Sequence, residues 1–399
     1  MSIIDEFFTD KMKIQNQNNY IYSQNKPKQP AFKGYFACPI KELHFQSCGL
    51  SKQRALFKEL NQKCSKYFDI FVQLKDKIVK PTELEYQGRE GFAKDFIKNA
   101  LDVQWGQDNK IFLDKNKLGI LTQHPDLILA KKFGNILGIE TKSISAPIHG
   151  GNCFLGKKQN GEAFALIGND ALTDSSKITV ANQLEVMPKN LHVISQPEAH
   201  LDLIIRPLNF PYVLIGDSNL TMGLAEKHNK LSAKHIEYFK KTYNNRKFRI
   251  EQNDYVDIDT TINELKEQGF KPVRVPGFIG NNIPVVANSD LNFMNAIVHQ
   301  EDDGSLIYIT NKTNLKKEMG IDFEEIFENY LKLKVPSIKE VIFVDGDGLI
   351  AQNLRNSQGG IHCMNTERPN FNKWEALLAQ ASNSLNQLTN NKTCHEYAG

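Results

Sequence analysis

Four short segments of this chain carry residue types suited to covalent chemistry. Gly359-Gly360-Ile361-His362-Cys363 sets a thiol just after a glycine pair. Glycine accepts torsions and close approaches that other residues resist, so such a turn can present a cysteine at the mouth of a cleft. Two readings fit this stretch alone: a buried structural thiol, the common fate of free cysteine, or a nucleophile. His200-Leu201-Asp202 reads as part of a strand over Leu201–Ile205. Residues two apart in a strand share a face, so His200 and Asp202 enter one space while Leu201 turns away. That pair suits a proton-transferring imidazole beside a carboxylate that holds a cation. Trp105-Gly106-Gln107-Asp108 places one of only two tryptophans near a second carboxylate, an apolar wall beside an anion. His149-Gly150-Gly151-Asn152 reads as a glycine turn leading into a strand. It has neither the Gly-Lys-Ser/Thr of a phosphate loop nor a GxGxxG fingerprint.

A thiol, an imidazole and two carboxylates can be combined in two ways. A peptidase-like Cys/His/Asp set is one. The second carboxylate suits another substrate better. A guanidinium is planar and permanently charged, with five N–H donors in a fixed fork, and each carboxylate can accept a pair of them. Held in that way, its central carbon stays in front of the thiolate.

The elements that must position these groups belong to a chain of 399 residues, 40% hydrophobic and 24% charged, ample for a large core. Lys and Arg number 49 against 46 Asp and Glu, a net charge of +3. So slight an excess does not argue for nucleic acid or an anionic membrane as partner. Six cysteines without a CxxC pair or zinc-ligand spacing read as reduced thiols. No basic region followed by an apolar run opens the chain, and no stretch approaches the roughly 20 apolar residues of a membrane span. The expected location is cytoplasmic, with signal-less secretion left open.

Ser51–Phe68 carries Leu56, Leu60 and Cys64 at helical spacing. Further helices are expected over Gly91–Leu101, Leu231–Asn244, Thr260–Gln268, Phe323–Leu333 and Lys373–Leu388. Strands are expected over Gly34–Pro39, Ile70–Leu74, Cys153–Leu155, Ala163–Gly168, Leu191–Ser195, Tyr212–Gly216, Val273–Val275, Ser305–Thr310 and Val341–Val344. Leu127–Leu129 and Ile136–Ile139 read as two more short strands divided by polar and glycine residues. Short strand groups with a helix between groups predict an α/β fold. A single domain is expected over 31–390, after a polar lead-in at 1–30 and before a tail at 391–399.

Taken in order, the four segments resemble those of the guanidine-modifying enzymes, the pentein superfamily, and within it the catalytic domain of the protein-arginine deiminases. Trp105-Gly106-Gln107-Asp108 resembles their Trp-x-Gln-Asp segment, His200-Leu201-Asp202 their His-x-Asp pair, and Gly359–Cys363 their Gly-Gly-x-His-Cys segment. His149–Asn152 is similar to a Gly-Asn turn between the first two. The match runs from about Trp105 to Trp374. The resemblance implies a five-bladed, pseudo-symmetric α/β propeller of ββαβ-type units around a central cleft. It implies that Cys363 attacks the guanidinium carbon, that His200 protonates the departing ammonia and then activates water, and that Asp108 and Asp202 bind the guanidinium nitrogens. A thiouronium intermediate would then be hydrolysed to a ureido product. Trp105, Asn152 and Gly360 are expected to shape the substrate site.

The substrate implied is peptidyl-arginine, free arginine or agmatine. The animal protein-arginine deiminases carry N-terminal β-sandwich domains, for which the stretch before Trp105 is too short. They also hold calcium partly with acidic residues just after the first motif. Here Asn109, Lys110 and Ile111 follow it, poor ligands for calcium, so no metal or other cofactor is expected. An amidinotransferase, with an amine replacing water, and a catalytically silent propeller that only binds are the alternative readings. Nothing in the sequence indicates an oligomeric state.

Overall fold

The computed structural model describes residues 33–46, 51–74, 77–84, 109–122, 127–148, 150–172, 176–197, 200–227, 256–283, 286–355 and 360–381. Trp105, Asp108, His149 and Gly359 lie outside the described residues, as do the expected lead-in, the tail and the helices over Gly91–Leu101 and Leu231–Asn244.

The described chain opens with β1 (Lys33–Tyr35), β2 (Ile40–Gln46), α1 (Ser51–Cys64), β3 (Asp69–Gln73) and β4 (Ile78–Val79). Next come β5 (Lys110–Asp114), β6 (Lys117–Leu121), α2 (Leu127–Leu137) and β7 (Glu140–Ile144). They are followed by β8 (Cys153–Lys157), β9 (Ala163–Gly168), α3 (Lys177–Gln183) and β10 (Leu191–Ile194). Then come β11 (Ile205–Pro207), β12 (Tyr212–Gly216), α4 (Ser218–Lys227), α5 (Ile258–Glu267) and β13 (Lys271–Val275). A hairpin of β14 (Phe278–Ile283) and β15 (Val286–Asn292) leads to β16 (Ile297–Gln300), β17 (Leu306–Asn311), α6 (Leu315–Met319), α7 (Phe323–Lys334) and β18 (Ile338–Val344). Last are α8 (Leu349–Arg355), β19 (Asn365–Pro369) and helical turns over residues 371–381.

Five small sheets share one design. In each, the first strand pairs antiparallel with a second, and the second pairs parallel with a third. The sets are β5–β6–β7, β8–β9–β10, β11–β12–β13, β16–β17–β18 and β19–β2–β3. A parallel pair needs a crossover, and in every set the intervening chain contains a helix. The last set joins the two ends of the described chain, with Asn365 opposite Phe45. β1 and β4 extend two of the sheets, and β14–β15 stands alone.

The helices lie on the sheets through apolar stripes. Leu56, Leu60 and Cys64 of α1 are all fully buried, as the spacing predicts. In α7 the stripe is Phe323, Phe327 and Leu331, and the Asp322 carboxylate caps the helix by accepting from the Glu325 amide at 3.1 Å.

The strand expected over Gly34–Pro39 ends at Tyr35, and two further expectations fail, each for a local reason. Leu127–Leu129 and Ile136–Ile139 are not strands: residues 127–137 form α2, with Ala130 and Phe133 inside. Gly134 looked like a divider but serves packing, since a Cβ there would stand 2.3 Å from the Thr141 methyl of β7. Leu201–Ile205 is not one strand either. Leu201–Leu203 is a 3-10 turn, because the Leu203 and Ile204 amides bond back to His200 and Leu201 carbonyls. The strand starts only at Ile205.

Candidate active site

Those of the singled-out residues that the structure describes sit in turns ahead of the first strand of a sheet. Gly150–Asn152 precedes β8, His200–Asp202 precedes β11, and Gly360–Cys363 precedes β19. A fourth turn, Asn292–Asn295, precedes β16. In sequence, Asp108 stands two residues before β5.

These turns are knitted together. Asn152 Oδ1 accepts from the Leu201 amide at 2.8 Å, which ties the second turn to the first. Gly151 lets the two lie against each other: a Cβ there would stand 2.8 Å from Asp202 Oδ1 and 2.8 Å from His200 Cβ. His200 and Asp202 therefore do face one place, through a turn rather than a strand. Gly151→Ala should cost about 1–3 kcal/mol through overpacking, read as a lower denaturant midpoint in equilibrium unfolding.

Asn295 joins the third and fourth turns. Its Oδ1 accepts from the amides of Gly360 (3.1 Å), His362 (3.1 Å) and Cys363 (3.3 Å). Its Nδ2 lies 2.8 Å from Cys363 Sγ and 2.9 Å from Asp202 Oδ2. Asn292 holds Asn295 in place by accepting from its amide at 3.0 Å. Asn311 supports the Cys363 turn, its Oδ1 accepting from the Ile361 amide at 2.8 Å. Gly360 is where that support comes closest, since a Cβ there would be 2.4 Å from the Asn311 amide group.

Asp202 is the centre of the cluster. It is fully buried, and its Oδ2 takes the Asn295 amide, His362 Nδ1 at 3.0 Å and the Cys363 thiol at 3.6 Å. Among the described residues Asp202 Oδ1 has no hydrogen-bond partner. Burial pushes the Asp202 carboxyl up to about 7, against the lowering influence of the Cys363 thiol, Arg206 and Asn295.

Behind Asp202 lies a second buried layer. Arg206 Nη1 is 2.6 Å from His362 Nε2, and Nη2 is 3.3 Å from Glu367 Oε1. Burial, with the Arg206 charge beside it, holds His362 well below its ordinary range, so the imidazole is neutral. Burial raises Glu367 to about 7, opposed by Arg206. Losing one member of so deeply buried an ion pair strands the other's charge, at about 3–5 kcal/mol.

The expected site residues are thus placed as follows. Cys363, Asp202, His200, Asn152 and Gly360 belong to one set of touching turns. Trp105 and Asp108 lie outside the described residues. Asn295, Asn311, His362, Arg206 and Glu367 were not singled out as site residues in the sequence. Arg206 did leave a signal, a charge closing the apolar run Leu203-Ile204-Ile205, and His362 lies inside the cysteine motif itself. The residues that follow the first motif are placed at the start of β5. Asn109 Oδ1 lies 3.3 Å from the buried Lys110 ammonium, and Ile111 is apolar.

Chemically, this cluster offers a buried carboxylate oxygen without a partner among the described residues, which can accept from a cationic N–H donor, next to a sulfur that can attack carbon. No protein-family model and no curated protein sequence matches the chain. Solved structures do. Agmatine deiminase from C. jejuni is similar over 88% of this chain and 98% of its own, with TM-score 0.51 and 14% identity. An amidinotransferase from Microseira wollei, of a saxitoxin biosynthetic pathway, covers 86% of this chain and 98% of its own, with TM-score 0.45 and 12% identity. The first of these likenesses carries the fold: this chain has the fold of the guanidine-modifying, or pentein, enzymes that its motifs resemble.

Proposed function

We propose that the chain is a cysteine-dependent deiminase, which hydrolyses a guanidinium to a ureido product and ammonia. The observation that carries this reading is Asp202. Its Oδ2 is engaged by the thiol, His362 and Asn295, while the buried Oδ1 is an unused acceptor. A buried acceptor that lacks a donor is costly, and a guanidinium N–H supplies one beside the sulfur. The fold shared with an agmatine deiminase supports the same reading. We take the five similar sheets as blades of a propeller whose leading turns meet at this cluster. Asp108, just ahead of β5, then supplies the second carboxylate, and Trp105 an apolar wall.

Cys363 acts as thiolate and adds to the guanidinium carbon, forming the C–S bond. His200 gives a proton to the departing nitrogen as the C–N bond breaks, and ammonia leaves. The product of this half is a covalent thiouronium. His200 then takes a proton from water, which adds to the same carbon, and the C–S bond breaks to return the thiolate and release the urea group. Asn295 Nδ2 favours the thiolate by donating to it, and the bound cation favours it further. Asn152 and Gly360 shape the turns that aim these groups.

Asp202 must be ionised to hold the cation. Burial raises its pKa, so the carboxyl is protonated below about 7 and charged above it. The expected kcat/KM therefore rises with pH through about 7 and then levels. The limb should lie lower in kcat, because the bound guanidinium stabilises the carboxylate. A pH–rate profile measures both, and a flat kcat/KM profile across this range would remove Asp202 from substrate binding.

Among the described residues, no helix is long and apolar enough to cross a membrane, and no disulfide joins Cys38, Cys64, Cys153 or Cys363. We place the enzyme in a reducing, cytoplasmic compartment. The deciding experiment offers arginine, agmatine and an arginine peptide, with a chelator present and an amine acceptor added in a parallel arm. Ammonia with a ureido product is expected. A new guanidino compound would make the enzyme an amidinotransferase, and no product from any of them would leave only binding.

A further inference from the structure

We propose that His362 and Arg206 are positioning residues for the Asp202 carboxylate, a chain of fixed donors that reserves one chosen oxygen of Asp202 for the substrate. The proposal rests on the guanidinium reading above. Arg206 is fully buried, and a guanidinium has donors only. With Nη1 at 2.6 Å, His362 Nε2 must therefore accept, which leaves the neutral imidazole's single hydrogen on Nδ1. Nδ1 lies 3.0 Å from Asp202 Oδ2 and donates to it. The arginine thus sets the tautomer, and the tautomer sets which carboxylate oxygen is used up. Asn295 Nδ2 takes the same oxygen at 2.9 Å and the Cys363 thiol lies 3.6 Å from it, so all three groups converge on Oδ2 while Oδ1 has none among the described residues.

The chain is rigid at both ends. The Phe154 ring lies nearly parallel to the His362 ring, with centroids 6.2 Å apart, and the Arg206 guanidinium carbon is 5.8 Å from the same ring. Glu367 Oε1 holds the other terminal nitrogen of Arg206 at 3.3 Å and lies 3.6 Å from His362 Nε2. Asp202 faces Cys363 and His362, with His200 across Gly151. Arg206 faces His362 and Glu367, with Tyr35, Cys38 and Tyr308 nearby in the same buried region.

His362→Phe keeps the ring and its stacking but removes the Nδ1 hydrogen. His362→Asn keeps an amide hydrogen near that position. Losing a donated hydrogen bond disfavours the carboxylate, so its titration moves up. We expect His362→Phe to lower kcat/KM about 10- to 100-fold, mainly through KM. Its acid limb should move up by about one pH unit, and His362→Asn should recover most of both.

The second readout needs no turnover. Infrared difference titration of the Asp202 carboxyl in the unliganded protein, assigned with Asp202→Asn, should show the same upward move. A lower melting temperature with an unmoved limb and an unmoved titration would make His362 a packing residue and overturn the proposal. If His362→Phe fails to fold, Arg206→Lys decides instead. A lysine cannot reach His362 and Glu367 together in the same fork, and a wild-type titration in that variant overturns the proposal equally. Absence of product from the wild-type protein would defeat the guanidinium reading alone, since the infrared titration still decides the positioning.

Discussion

Cys363→Ala should abolish turnover and leave substrate binding in place. The expected loss in kcat is about four orders of magnitude or more, as when a covalent nucleophile is removed from a preorganised site. The stability cost should be small, about 1 kcal/mol, because one buried sulfur is lost and the turn is held by other bonds. Those bonds are the Asn295 carbonyl to three amides and Asn311 to the Ile361 amide. None of them involves the sulfur. Guanidinium affinity measured by calorimetry should survive, since Asp202 keeps its unused acceptor oxygen. The two readings of this cysteine then separate cleanly. A structural thiol, buried beside Ile361 and Met364 in the main core, would show the reverse, a large drop in melting temperature and little change in rate. Alkylation of the wild-type thiol should inactivate the enzyme, and bound substrate should change the alkylation rate. Turnover in the alanine variant equal to that of the wild type would sink the covalent mechanism.

The sequence exposed the parts of the site that chemistry makes conspicuous. Cys363, His200 and Asp202 are reactive types in short motifs, and the structure does bring their turns together. Strands with their own apolar runs, such as Ala163–Gly168 and Tyr212–Gly216, were legible to the residue. Segments 127–137 and 201–203 were misread, because a glycine that permits close packing looks like a turn, and a 3-10 turn ahead of a strand looks like the strand. The scaffold was harder still. Asn295 and Asn311 act through carboxamides, whose oxygens accept from the Gly360 and Ile361 amides far away in sequence. No local spacing marks such a residue. What would have found Asn295 is the architecture: three of the motif segments stand just ahead of the first strand of a unit, so the turn ahead of β16 was the place to look. The recurrence of the three-stranded unit was itself hidden, because one copy joins β19 to β2 across almost the whole chain.

That position makes Asn295→Asp the most informative single change in the scaffold. An aspartate can still accept from the amides of Gly360, His362 and Cys363, so the nucleophile turn should keep its shape. What changes is the other side of the carboxamide. The donor that lies 2.8 Å from Cys363 Sγ and 2.9 Å from Asp202 Oδ2 becomes an oxygen. Two carboxyl groups so close share one proton, and the second is lost only at raised pH. With that proton in place, the pair carries the same charge as the wild-type amide and carboxylate, and the variant should retain part of its activity. Once the proton leaves, two anions flank the sulfur and disfavour the thiolate. Removing one donor to a developing negative charge typically costs 10²–10³ in rate, so kcat/KM at about pH 8 should fall about 100-fold. The deficit should be smaller at about pH 6, where the shared proton is still held. The ratio of variant to wild-type kcat/KM must then fall as pH rises, while the wild type itself improves through about 7. Paired pH–rate profiles measure this directly. A ratio that stays constant with pH would mean that Asn295 shapes the turn and has no electrostatic part in forming the thiolate.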